Sequence, residues 1–224
     1  MATSPRDSPF EQSQLLKREL RRMGIQDPRV LQAIVSVPRE EFVSKELRKV
    51  AYRNKPLPIE LGQTISQPLV VAHMAEALQL QPRDRVLEVG TGSGYAAAIF
   101  SRLCHKVFTI ERHLPLAQTA AARLKRLGYL NVRVLQGDGT LGWAEQAPFN
   151  AIVVAASGPR VPPALLEQLQ LGGHLVIPIG DNAESQQLIR VTRQTETEFT
   201  SEDLGGVRFV PLVGHSGWPA EPEE

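Results

Sequence analysis

The ten residues from Arg85 to Gly94, RVLEVGTGSG, constrain the fold more than any other stretch of the chain. Val86, Leu87 and Val89 form a short apolar run of the kind buried on both faces of a parallel sheet, and Gly90, Gly92 and Gly94 end it. A helical pattern from Tyr95 to Leu103 follows at once. Glycines in such a turn supply positive φ, or let a ligand approach the backbone more closely than a Cβ permits. A strand, a glycine turn and a helix in this order predict a nucleotide-type cofactor at the carboxyl end of the first strand of a doubly wound α/β sheet.

The spacing narrows the cofactor. A dinucleotide fold carries GxGxxG, with the pyrophosphate at the helix N-terminus. Here the pattern is GxGxG with Tyr95 in the sixth position, so the third glycine comes one residue early. Glu111 closes the next predicted strand, Lys106 to Ile110, where an acid can take the two hydroxyls of a ribose. That acid suits a dinucleotide and S-adenosylmethionine alike. The turn holds no basic residue, and the Walker pattern is absent.

EVGTGSGY, IER at 110–112 and GDG at 137–139 together resemble the class I S-adenosylmethionine-dependent methyltransferases, whose sheet is Rossmann-like. TISQP at 64–68, LGYLNVRVLQGDGTLGW at 127–143 and VRFVPLV at 207–213 are similar to segments of the protein-L-isoaspartate O-methyltransferase family, and they keep that family's order. The resemblance implies methyl transfer from S-adenosyl-L-methionine, leaving S-adenosyl-L-homocysteine, to the α-carboxyl group of L-isoaspartyl residues in damaged proteins and peptides. Its implied cofactor site is Glu88, Gly90, Thr91, Gly92, Ser93, Gly94, Glu111, Asp138 and Gly139, with Glu88 near the amino-acid end and Asp138 and Gly139 beside the adenine. Its implied catalytic residue is Ser66, and its implied substrate contacts are Thr64, Ile65, Ser66, Gln67, Pro68 and Val213, the last at the end of an edge strand. Leu69 and Val213 stand where members of the family can have His or an aromatic, and Thr, so both bear on substrate contact.

Bland readings stand beside several of these. Asp138 fits an Asx turn. Ser66, before Gln-Pro at a helix start, fits an N-cap as well as it fits a hydrogen-bond donor to a carboxylate. His73, His105 and His113 show no metal-ligand spacing, and no metal is expected. The segment ASGPRVPP after the strand at 150–155 lacks the Asn/Asp-Pro-Pro-Tyr/Phe turn of many amino-group methyltransferases, whereas a carboxylate acceptor, ionised at neutral pH, needs no general base. Three rivals remain open at this point: a methyltransferase for RNA or a small molecule, a cofactor-binding module without turnover, and an NAD-dependent dehydrogenase.

The remaining segments divide the chain into an N-terminal helical extension with an active-site loop (1–66), a methyltransferase domain (67–214) and a flexible tail (215–224). Helices are predicted over 10–23, with Leu15, Leu16, Leu20 and Met23 at helical spacing, from Asp27-Pro28, over 39–50 and over 67–80. Residues 51–66 read as a long ordered loop that closes on the cofactor. Beyond the glycine turn, strands at 106–110, 132–136, 150–155 and 174–179 alternate with helices, and 186–194, 196–201 and 207–213 read as further strands. A formal net charge of +1 gives no field to gather nucleic acid or an anionic membrane. Cys104, alone of its kind, can form no intrachain disulfide, so an oxidising compartment is not implied, and it reads as a small buried or half-buried filler. The expected protein is a cytoplasmic monomer whose partners are isoaspartyl polypeptides.

Overall fold

The computed structural model describes residues 8–181 and 185–219. Helix α1 (Pro9–Arg22) begins on Ser8, whose hydroxyl accepts from Glu11 N at 3.2 Å. It buries Leu16 and Leu20 and turns Leu15 and Met23 outward, so the inward stripe is narrower than the spacing of apolar residues predicts. Gly24, at φ +105°, ends the turn. Helix α2 (Pro28–Ser36) starts as predicted, with Asp27 accepting from Arg29 N and proline in the first turn.

The helix expected over 39–50 is two 3-10 turns, Arg39–Phe42 and Lys45–Val50. The expected loop then contains a small hairpin in which β1 (Leu57–Pro58) pairs antiparallel with β2 (Thr64–Ile65). Its tip, Leu61 and Gly62, has positive φ at both residues, the backbone of a tight hairpin turn. Helix α3 (Pro68–Ala77) follows. Glu76, near its end, accepts from the N–H groups of Gln26 and Asp27 at 2.7 and 2.6 Å, which ties the start of α2 to α3.

The described residues place seven strands in one sheet: β3 (Arg85–Val89), β4 (Lys106–Glu111), β5 (Val132–Gln136), β6 (Phe149–Val154), β7 (Leu169–Ile179), β8 (Gln186–Arg193) and β9 (Phe199–Val207). Their order is β5-β4-β3-β6-β7-β8-β9. The first five run parallel, and β8 and β9 are added antiparallel. Helices α4 (Tyr95–Phe100), α5 (Leu114–Arg126) and α6 (Pro163–Glu167) connect the parallel strands. This is the doubly wound arrangement that the alternating pattern predicts.

Alternation along the strands sorts the core into two layers. Val86, Val107, Ala151, Val153 and Val176 face a cluster shared with Leu16, Leu20 and Ile34 of the N-terminal helices. Leu87, Val89, Phe108, Ile152 and Leu175 face the other layer, with Leu165 of α6. The N-terminal segment therefore supplies one face of the same core rather than standing off from the sheet. Each fully buried aliphatic side chain is worth about 1.5–3 kcal/mol, so this shared layer fixes the position of the hairpin above the sheet.

The strand expected over 207–213 does not form. The chain leaves β9 at Val207, and Pro211 and Val213 make only isolated bridges, to Ser157 and Trp218. Ser157 donates to Val210 O and accepts from Leu212 N, both at 2.8 Å, so this segment is bound to the loop after β6 and not to a sheet edge. Cys104 is buried, and burial pushes its thiol up to about 12, which suits an inert filler.

Candidate active site

Strands β3, β4 and β6 end side by side, and the order of the sheet reverses between β3 and β6. In open α/β sheets a ligand crevice forms at this switch point. The structure has a cavity of about 760 Å³ there, lined by Val89 to Ser93 after β3, Ile110 to His113 at the end of β4 and Ala155 to Ser157 after β6.

Local bonding fixes its floor. Gly90 N and Thr91 N both donate to Ile110 O, at 2.8 and 3.2 Å, and Arg123 Nη1 donates to Ser93 O at 2.7 Å. Gly90 and Gly92 have φ of +95° and +52°, a backbone that side chains rarely adopt, and both line the cavity. Gly94, also at positive φ, does not line it. A Cβ there would stand 3.2 Å from Leu124 Cδ1, so the third glycine serves the close packing of the turn on α5 rather than the ligand.

Glu111 is 5% exposed and lines the cavity. Its Oε2 accepts from Gly92 N at 2.8 Å and its Oε1 from His113 N at 3.0 Å. Each carboxylate oxygen keeps a further lone pair, and the chain pins both in place, which is the acceptor set that two neighbouring ribose hydroxyls require. With Gly90, Gly92, Ser93 and Gly139 around it, the cavity fits a nucleoside-bearing cofactor such as S-adenosylmethionine. Arg112 and His113 also line it.

Two of the acids expected at the cofactor do not line this cavity. Glu88 is 0% exposed and points into the layer beneath the N-terminal helices, following the alternation that turns Val89 the other way. Its Oε2 accepts from Thr109 Oγ1 at 2.5 Å, Thr109 Oγ1 lies 2.7 Å from Thr91 Oγ1, and its Oε1 is buried without a partner. Burial pushes the Glu88 carboxyl up to about 8, against the Thr109 hydrogen bond and with the help of the Glu111 charge. Between pH 4.5 and about 8 the unfolded chain therefore releases a proton that the folded chain keeps, so stability falls as pH rises through this window. Glu88→Gln is expected to flatten that fall. Urea midpoints at pH 6 and pH 8.5 check it: parallel losses in both proteins would rule out Glu88 as the source.

Asp138 likewise falls outside the cavity lining. Its Oδ1 accepts from Thr140 N and Oγ1 at 2.8 and 2.7 Å, and its Oδ2 from His215 N at 2.7 Å. Burial opposes ionisation, but these hydrogen bonds outweigh it and hold the carboxyl below its ordinary range. The Asx-turn reading thus describes its contacts, and its neighbour Gly139 is the residue of GDG that lines the cavity.

By holding His215, Asp138 also fixes a segment expected to be part of a flexible tail. Trp218 N donates to Leu212 O at 2.7 Å, its Nε1 donates to Ser157 O at 2.9 Å, and Trp218 and Pro219 line the cavity. Residues 220–224, the rest of that tail, lie outside the described residues, as do residues 1–7. Nothing in SGWPAEPEE distinguishes a wall residue from a tail residue, since two of its anchors, Thr140 for Ser216 and Ser157 for Trp218, lie 76 and 61 residues away.

Thr64, Ile65, Ser66 and Val213 line the same cavity. A second hollow, of about 960 Å³, adjoins it and shares Thr64, Ser66, Ala155, Gln186 and Val210 with it. Gln67 lines only the second hollow and donates from Nε2 to Asn54 O at 3.0 Å; Pro68 is buried and lines neither. Ser66 is not the cap of α3. Gln67 holds the N-cap position and makes no side-chain cap bond, and among the described residues the Ser66 hydroxyl has no hydrogen-bond partner. The alternative that the sequence left open, a serine spent on its own helix, is absent from this structure.

The family model for protein-L-isoaspartate(D-aspartate) O-methyltransferase matches residues 11–217 of the chain. Protein-L-isoaspartate O-methyltransferase 2 of Pelobacter propionicus is 55% identical over 96% of each chain. The protein-L-isoaspartate O-methyltransferase of Protochlamydia amoebophila is 53% identical over 91% of this chain and 97% of its own. Among solved structures, a protein-L-isoaspartate O-methyltransferase superposes with a TM-score of 0.84 at 29% identity, covering 92% of this chain and 67% of that one. A putative enzyme of the same name from Plasmodium falciparum, in complex with S-adenosyl-L-homocysteine, gives a TM-score of 0.77 at 26% identity, covering 90% and 98%.

Proposed function

Because the chain belongs to the protein-L-isoaspartate(D-aspartate) O-methyltransferase family, we propose that it methylates the α-carboxylate of L-isoaspartyl residues in damaged proteins and peptides, using S-adenosylmethionine. When bound, that cofactor supplies a methyl group on a sulfonium, a leaving group that is already cationic. The chain's own task is then to hold an acceptor oxygen in line and to exclude water. A new bond from a carboxylate oxygen to the methyl carbon replaces the sulfur–carbon bond, leaving a methyl ester and S-adenosylhomocysteine. An ester can expel methoxide where a carboxylate would have to expel oxide, so the nitrogen of the following backbone amide can attack the ester carbonyl and displace methanol to give a succinimide, and hydrolysis of that ring returns some normal aspartyl.

The observation that carries this reading is the unspent hydroxyl of Ser66 where the two hollows meet. Glu111 and the glycine turn serve the cofactor in the inner cavity, and the outer hollow gives a polypeptide access to the same serine. We assign Ser66 as the donor that fixes the acceptor carboxylate, with Thr64, Ile65 and Val213 as its surroundings. An ionised acceptor needs no base, and the Ser66 hydroxyl can orient one oxygen without protonating it. A polypeptide acceptor suits a formal net charge of +1 better than a nucleic acid does. The proposed setting is the cytoplasm, and the proposed working unit a monomer.

Transfer of labelled methyl to two peptides that differ in one residue, L-isoaspartyl in one and L-aspartyl in the other, tests the activity. The expected result is base-labile label on the isoaspartyl peptide alone. Label on neither peptide, with cofactor binding intact, would favour another acceptor or a binding module.

A further inference from the structure

Arg39 opens the 3-10 turn after α2, in a run, PREE, that reads as a solvated surface. It is instead 0% exposed. Its Nε donates to Ala51 O at 2.8 Å, and its Nη2 donates to Ser66 O at 2.7 Å and to Lys55 O at 3.4 Å. The guanidinium lies over the Tyr95 ring, 4.5 Å from its centroid, and Tyr95 follows the glycine turn and lines the cavity. Nη1 is buried without a partner, and none of the salt bridges among the described residues involves Arg39.

Burying a cation with no carboxylate beside it costs several kcal/mol, a cost the fold could avoid with an apolar side chain of similar size. What the arginine does, and no apolar side chain can, is bind three carbonyls at once. Ala51 and Lys55 stand where the hairpin segment begins, and Ser66 stands where it ends. The planar fork therefore clasps both ends of the segment and fixes the peptide plane of Ser66.

We propose that Arg39 is a positioning residue for methyl transfer: through the Ser66 carbonyl it sets where the Ser66 hydroxyl stands at the junction of the two hollows, and it keeps a positive charge one peptide unit from the docking point of an anionic acceptor. The inference rests on the assignment of Ser66 as the acceptor's donor. Misplacement of a positioned group by about 1 Å can cost roughly 10²-fold in rate, so the effect belongs in turnover rather than in cofactor affinity.

The test is a double-mutant cycle of Arg39→Lys with Ser66→Ala, read by kcat/KM on an L-isoaspartyl peptide, calorimetric affinity for S-adenosylhomocysteine and melting temperature. A lysine keeps the charge but cannot reach three carbonyls. Arg39→Lys is expected to lower kcat/KM by roughly 30-fold with cofactor affinity within about twofold, and to cost less than about threefold in the Ser66→Ala background. Additive losses, or a folded Arg39→Lys enzyme with unaltered turnover, would overturn the proposal. Arg39→Met, which removes the buried charge, is the second variant, and it is expected to fold and to lose at least as much turnover. If neither variant folds, Arg39 is structural and the proposal fails. If Ser66→Ala is itself without effect, the fault lies in the assignment of Ser66, whatever Arg39→Lys does.

Discussion

Ser66→Ala is expected to lower kcat on an L-isoaspartyl peptide by about 10²-fold, the scale on which a single preorganised donor acts, while cofactor affinity stays within about twofold. The split follows from where the hydroxyl stands. It lines the junction of the two hollows, it bonds to no other described residue, and the α3 cap position belongs to Gln67. Removing it takes away no cap, so the melting temperature should hold. Steady-state kinetics, calorimetry and thermal melting on one preparation separate the outcomes. Equal losses of stability and affinity with turnover per folded molecule intact would return Ser66 to a purely structural role.

Glu111→Gln should act the other way. The carboxylate pins Gly92 N and His113 N and keeps a lone pair on each oxygen for a ligand, and an amide offers only one acceptor atom in its place. Hydrogen bonds to a charged group are worth about 1.5–3 kcal/mol each, so cofactor affinity should fall by about 10²-fold, or roughly 2.7 kcal/mol. At saturating cofactor, kcat should remain within a few-fold of the wild type, because the role proposed for Glu111 is in holding the cofactor and not the acceptor. Titration with S-adenosylhomocysteine measures the affinity, and an unchanged value would remove Glu111 from the cofactor site.

What the sequence made legible was what depends on neighbours along the chain. The apolar runs of β3, β4 and β6, the glycine turn, the Asp27-Pro28 helix start and Gly24 all rest on short-range chemistry, and each stands where the pattern placed it. Local patterns say less where distant partners decide. VRFVPLV has the composition of a strand, yet Ser157 captures it before it can extend a sheet. Glu88 lies beside the glycine turn in sequence, but strand alternation turns it to the opposite layer.

Asp138 reads in sequence as a ligand residue, and the bond from His215 N to one of its oxygens, from 77 residues on, has no local signal. Arg39 and Trp218 carried no local signal, since a charged residue in PREE and an aromatic in SGWP are ordinary surface composition. Both become informative only through the carbonyls they bind, those of Ser66 and Ser157. The site residue that local patterns could only leave undecided was Ser66. The cap reading fails on one backbone detail, the one-residue offset that makes Gln67 the N-cap.

The most direct measurement is a crystal structure of the protein with S-adenosylhomocysteine and an L-isoaspartyl peptide bound together. The account predicts an acceptor carboxylate oxygen within hydrogen-bond distance of Ser66 Oγ, the ribose hydroxyls on Glu111, and the peptide leaving through the hollow that Gln67 and Phe209 line. An isoaspartyl carboxylate held away from Ser66, with that serine facing neither ligand, would contradict it.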